Sequence, residues 1–200
     1  LVPADAPGFT RISIRKKMGW WASDTATLHF DQCRAPASGQ LGQEGVCLLA
    51  IMDNFNHERF SLSAGCLGMA RRCLDDAIAY AQQRETFGKP LIKHQAIRHK
   101  IADMSSRIDA LDSYLQMIAW RINDARDKGA PMPAAELAKV KVLASKTAEF
   151  CANEAMQILG GAGYLRGCAV ERIYREVKVM AIGGGSEEIM RDLAVKQMGL

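Results

Sequence analysis

The chain has 200 residues, 48% hydrophobic and 24% charged, a balance that suits a globular core and excludes the disordered and collagen-like classes. Its formal charge of +4 comes from 26 basic and 22 acidic residues, and apart from Arg15-Lys16-Lys17 the basic residues are interspersed with acidic ones, so nucleic acid is not an expected partner. No run of about 18 uncharged apolar residues is available to span a bilayer, and no signal-peptide pattern opens the chain, so the expectation is a soluble intracellular protein.

In chain order, the first elements carry β and turn signals. Ala6-Pro7-Gly8 reads as a turn, Ile12 and Ile14 alternate with polar residues, and the stretch 25–31 places Leu28 and Phe30 on one face with Thr27 and His29 on the other. Two or three strands with one apolar face need further strands to cover them. Residues 1–45 are therefore expected to be the C-terminal remnant of a β domain, and the opening at Leu1 rather than Met suggests a fragment or processed product.

From about Val46 the period becomes helical. A first helix is expected to reach Arg84 and to stop at Phe87-Gly88-Lys89-Pro90, where glycine permits a left-handed cap and proline forbids continuation. Ile97, Ile101, Met104, Ile108, Leu111, Leu115, Ile118 and Ile122 then form an apolar seam at alternating spacings of four and three, ending before Gly129. Pro131 and Pro133 open a third helix that runs to Leu159 and stops at Gly160-Gly161. A shorter helix is expected at 170–177, and Ser186 reads as the N-cap of a last one, with Glu187 and Glu188 suited to its first turn. The fold class is thus mainly α: an up-and-down four-helix bundle over 46–200, preceded by the β remnant. The six cysteines, at 33, 47, 66, 73, 151 and 168, include no C-x-x-C pair and read as small core residues of a reducing compartment, and no metal is expected.

Three segments then carry a resemblance. They are Arg84-Glu85-Thr86-Phe87-Gly88-Lys89-Pro90-Leu91 with His94-Gln95, Gln157-Ile158-Leu159-Gly160-Gly161-Ala162-Gly163-Tyr164, and Ile182-Gly183-Gly184-Gly185-Ser186-Glu187-Glu188-Ile189-Met190-Arg191. In order and spacing they resemble the flavin segments and closing motif of the acyl-CoA dehydrogenases. Lys17-Met18-Gly19-Trp20 and the stretch 46–59 extend the resemblance over the whole chain. It implies FAD as cofactor. Arg84, Thr86, Phe87, His94, Gln95, Gln157, Gly160, Gly161, Ser186 and Glu188 would be its cofactor-binding residues, the Arg84 and Gln157 segments reaching the flavin of a neighbouring subunit. Each also has a plainer role: Arg84 as a solvated charge, the glycines as a helix stop, Ser186 as a cap. The glycines do not make a G-x-G-x-x-G loop, since Arg166 stands three beyond Gly163 and no strand precedes them.

The resemblance also implies the reaction, α,β-desaturation of an acyl-CoA thioester. A carboxylate takes the α proton, the β hydrogen leaves as hydride, and the thioester oxygen is stabilised by a flavin ribityl hydroxyl and a backbone N–H. In most of the family that N–H belongs to the catalytic glutamate, but here the position is Gly184, with Gly185 and Ser186 after it. A minority branch, including the isovaleryl and long-chain enzymes, carries the base on the first long helix just before an arginine, and this chain has Glu58-Arg59 there. Glu58 is accordingly the expected base and Gly184 a backbone donor. Phe55, Asn56, Arg59 and Gly185 are expected to bind substrate. Electron-transfer flavoprotein is the expected acceptor, a homotetramer the expected assembly, and the cytoplasm, or the mitochondrial matrix in a eukaryote, the expected location. An oxidase of the same fold acting on an acyl-CoA or a nitroalkane, and a non-catalytic helical assembly module, remain alternatives.

Overall fold

The computed structural model describes residues 1–200, which divide into two compact units, Leu1–Asp53 and Asn54–Leu200. In the first, strands β1 (Phe9–Ser13) and β2 (Ala26–Phe30) pair antiparallel with Phe9 opposite Phe30 and Ser13 opposite Ala26. Gly8, at φ 80, is required at the entrance: a Cβ there would lie 2.0 Å from the Asp31 carbonyl oxygen. Both faces of the ribbon are open, with Ile12, Leu28 and Phe30 all exposed. Two uncovered strands hold little stability of their own.

Helix α1 (Cys47–Gln83) begins in the first unit and buries its apolar stripe, Cys66, Leu67, Ala70, Cys73, Ala77 and Ala81, in the second. It ends at Gln83, and the expected helix cap at 87–90 is instead a hairpin of two-residue strands, β3 (Glu85–Thr86) and β4 (Lys89–Pro90). Phe87 (φ 50) and Gly88 (φ 74) form its tip, both left-handed, the backbone that a tight two-residue hairpin demands.

Helix α2 (Gln95–Asp127) follows the expected seam, with Met104, Ile108, Leu111, Leu115 and Ile118 buried and Ile97, Ile101 and Ile122 half-buried at its ends. Gly129, at φ 62, closes it: its N–H reaches the Arg126 carbonyl (3.1 Å) and the N–H of Ala130 reaches Ala125 (2.8 Å). Helix α3 (Ala134–Leu159) packs against α2 and against both following helices, α4 (Ala169–Ile182) and α5 (Glu187–Gln197). Its buried face is mostly small, Ala138, Ala144, Ser145, Ala148, Cys151, Ala152 and Ala155, which lets neighbouring backbones approach closely.

Charge ties α3, α4 and α5 together. Glu149 of α3 accepts from Lys178 of α4 at 2.8 Å, and Lys146 stands 3.4 Å from Glu149 and 3.0 Å from Glu187, the first residue of α5. No helix is long and apolar enough to cross a membrane. Of the cysteines, Cys66, Cys73 and Cys151 are core residues, and burial pushes each thiol up to about 12. Cys47 departs from the core expectation, being exposed on the first turn of α1, while Cys33 and Cys168 are half-buried.

Candidate active site

The residues singled out in the sequence gather into two groups of direct contacts. The first joins α1 to the turn between α4 and α5. Helix α4 stops because Gly183 turns extended while its N–H still bonds the Val179 carbonyl at 2.7 Å, and Gly184 (φ 69) and Gly185 (φ 107) then adopt backbone that side chains resist. Ser186 caps α5, its Oγ accepting from the Ile189 N–H at 3.4 Å.

Two buried cations hold this turn. Arg59 on α1, 6% exposed, donates from Nε to the Gly184 carbonyl at 3.2 Å and from Nη1 to Asn56 Oδ1 at 2.9 Å, with its guanidinium 5.8 Å from the Phe55 ring centroid. Asn56 and Phe55 therefore brace the arginine. Lys141 on α3, 2% exposed, donates from Nζ to the Gly185 carbonyl at 2.5 Å. Burial lowers the Arg59 and Lys141 pKa values, opposed by Glu58 for the first and chiefly by Glu187 for the second. Glu187 is itself buried and accepts from Ser145 Oγ at 2.9 Å, with Arg191 3.3 Å away.

In a trans peptide the N–H points opposite to the C=O. With the Gly184 and Gly185 carbonyls directed at Arg59 and Lys141, the N–H groups of Gly185 and Ser186 face the other way. None of the Gly184, Gly185 and Ser186 N–H groups has an acceptor within the chain. A Cβ added at Gly184 would lie 2.9 Å from Leu62 Cδ1, so the turn abuts α1 at Leu62. Glu58 lies four residues before Leu62, on the same face and about 6 Å along the axis. It is exposed, and Asn54 Nδ2 donates to its Oε1 at 2.8 Å. The turn with its unclaimed amide donors thus abuts α1 at Leu62, one helical turn along from Glu58.

The second group is the hairpin. Thr86 Oγ1 and His94 Nε2 are 3.2 Å apart, and the Phe87 ring stands edge-on to His94 with centroids 6.2 Å apart. Arg84 and Gln95 are exposed, and Phe87 is 97% exposed. Gln157 is exposed on the last turn of α3 before Gly160, whose φ 57, ψ −135 is open to glycine alone, and Gly161 is exposed beside it. Gly163 has a packing reason: a Cβ there would lie 2.9 Å from Leu159 Cβ and 3.1 Å from Met156 Sδ. Glu188, exposed in the first turn of α5, has its carboxyl held low by its own N–H and the Ser186 hydroxyl.

Lys141, Leu62, Ser145 and Glu187 were missing from the expected site. The signal for Lys141 is a lysine in the apolar stripe of α3, between Leu137, Val140, Ala144 and Ala148.

The family description "Acyl-CoA dehydrogenase, C-terminal domain" matches residues 48–199. The chain belongs to the acyl-CoA dehydrogenase family. It is 37% identical over 191 residues to the mitochondrial short-chain specific acyl-CoA dehydrogenase of Bos taurus, covering 96% of this chain and 45% of that one. It is 36% identical over 198 residues to the probable acyl-CoA dehydrogenase YngJ of Bacillus subtilis, covering 99% and 51%. The crystal structure of a probable acyl CoA dehydrogenase from Mycobacterium abscessus superposes with a TM-score of 0.92 at 38% identity, over 99% of this chain and 51% of that one. The chain spans about half the length of the curated relatives it matches.

Proposed function

We propose that the complete protein is an FAD-dependent acyl-CoA dehydrogenase that desaturates the α,β bond of an acyl-CoA thioester, with Glu58 as the base. The observation that carries this is the glycine turn against α1: unclaimed amide N–H groups at Gly184, Gly185 and Ser186, packed beside Leu62 one turn from Glu58. The residues present suit the cofactor. Arg84 offers a free guanidinium fork to a diphosphate, the start of α5 offers free N–H groups and a dipole, and Gly160-Gly161 leave room for close approach. When bound, FAD accepts the β hydrogen as hydride.

The chain's own work is at the α carbon. The Glu58 carboxylate takes the α proton, the C–H electron pair becomes the second bond of the new alkene as the β hydrogen leaves with its own pair, and the Gly184 N–H donates to the thioester oxygen while charge collects there. Gly184 brings no side chain, so the proton has Glu58 as its destination. Arg59, committed to the Gly184 carbonyl and Asn56, serves the substrate by fixing the turn. Electron-transfer flavoprotein is the acceptor in this reading. The exposed Arg84 and Phe87 reach the flavin of a neighbouring subunit in a closed homotetramer. Holding an aromatic in solvent on left-handed backbone costs stability within one subunit, which favours a role outside it.

The test is Glu58→Gln in the complete flavin-loaded enzyme. Flavin reduction by acyl-CoA is expected to fall at least about a hundredfold with thioester binding retained. Near-normal reduction would reject Glu58 as the base.

A further inference from the structure

We propose that Lys141 is a positioning residue for this reaction: by holding the Gly185 carbonyl, it fixes the direction in which the amide N–H groups of the glycine turn face. The inference rests on the turn being the oxyanion donor of the reading above, but is independent of which carboxylate is the base.

Three consecutive glycines have more backbone freedom than any other tripeptide, so a turn made of Gly183, Gly184 and Gly185 has little intrinsic direction. Its upstream end is tied by the Gly183 N–H to Val179, and the peptide unit between Gly184 and Gly185 by Arg59 on the Gly184 carbonyl. That leaves two units without a tie so far, the one between Gly183 and Gly184, which carries the Gly184 N–H, and the one between Gly185 and Ser186, whose swing would disturb the turn that sets the first. Lys141 closes that freedom with a 2.5 Å bond from a side chain that is 2% exposed. The ammonium has come from water onto an apolar helix face, where it is costly to keep and where a methionine of equal reach would pack more cheaply. Ser145, Lys146 and Arg191 already partner Glu187, so the lysine is not needed to neutralise that carboxylate. What it uniquely supplies is a donor to the Gly185 carbonyl.

An oxyanion donor acts only if it is aimed before charge develops. A turn freed at Gly185 would still bind the uncharged thioester, whose carbonyl gains little from one hydrogen bond, but would bind the enolate poorly. Lys141→Met in the complete flavin-loaded enzyme separates the two states. A saturated acyl-CoA, its dissociation constant taken from the concentration dependence of the flavin reduction rate in rapid mixing, reports ground-state affinity. A 3-oxoacyl-CoA, which ionises to an enolate on the enzyme, reports enolate stabilisation through the enolate's ultraviolet absorbance against pH. We expect saturated acyl-CoA affinity within about threefold of wild type and the enolate preference weakened by about tenfold or more, with flavin content and melting temperature retained. An unchanged enolate preference overturns the proposal, as does a loss confined to melting temperature. Should Lys141→Met fail to hold flavin, the same two ligands decide the matter on Lys141→Gln, whose amide is too short to reach the Gly185 oxygen as the lysine does. Saturated acyl-CoA affinity is read before any proton moves, and the 3-oxoacyl-CoA enolate can form with its proton released to water, so a wrong base assignment shows only in Glu58→Gln, and a wrong role for Lys141 only here.

Discussion

The turn at Gly183–Ser186 and the hairpin tip at Phe87-Gly88 use the same backbone device, successive residues at positive φ, in opposite surroundings. The turn is half-buried and held from behind by Arg59 and Lys141. The tip has only a two-residue ladder and the His94 contacts to hold it, and it carries an aromatic almost wholly in solvent. Left-handed backbone is thus held in two ways: as a turn locked within the chain by buried cations, or as a projecting tip with little packed against it. What separates them is whether the surrounding side chains over-determine the geometry.

The largest expected effect that would break this contrast is Arg59→Met. Losing the bond to the Gly184 carbonyl should cost about 1–3 kcal/mol of unfolding free energy and reduce flavin reduction per folded site about a hundredfold. Denaturant titration and stopped-flow reduction of the complete enzyme measure the two, and retained reduction would show that the turn holds itself. A matched pair of alanines sharpens the comparison through stability alone. Gly185→Ala, at φ 107 and with Met190 Cε 2.5 Å from the new Cβ, should destabilise by about 3 kcal/mol, whereas Gly88→Ala, at φ 74 in open space, should cost about 1 kcal/mol. Equal costs would mean that the buried surroundings of the turn add nothing.

The smallest effect is electrostatic. Burial lowers the Lys141 pKa below its ordinary 10.5, so between the lowered value and about 10.5 the unfolded chain binds more protons at this site than the folded one. Stability contributed by this group therefore rises with pH across that window, and its penalty is complete below it. The difference in urea midpoint between wild type and Lys141→Met should shift toward wild type on going from about pH 8 to about pH 10. A shift toward the variant would contradict the burial of a charged ammonium.

The sequence revealed most where side chain period and backbone agree. The seam from Ile97 to Ile122 became the buried face of α2, and Gly129 closed that helix as a left-handed residue must. The hairpin was hidden because Phe87 takes φ 50, which no propensity favours, and glycine with proline two residues on signals a helix stop as readily as a tight turn. Helix α4 runs to Ile182, past the expected 177, because Met180 and Ala181 continue its buried stripe. At the site, Glu58, Arg59 and Gly184 were visible as residue types, but the approach of α1 to the turn was not, since 125 positions separate Arg59 from the Gly184 carbonyl it bonds. Lys141 stood out only as a charge in an apolar stripe, and its partner is a backbone oxygen, which leaves no trace in residue identity.

The contact between Gly184 and Leu62 bears on how such an enzyme can change. The atom that a new Cβ would meet is the tip of a half-buried leucine, which can turn aside, whereas at Gly185 it is the tip of a fully buried methionine, which has nowhere to go. Of the two glycines, only the first has room for a side chain, which would still carry the strain of φ 69. Glycine and glutamate codons differ by one nucleotide, so a carboxylate can arise on the turn while Glu58 still stands on the helix. With Glu58 as the proposed base, the proton acceptor would then pass between helix and turn through descendants that never lack one.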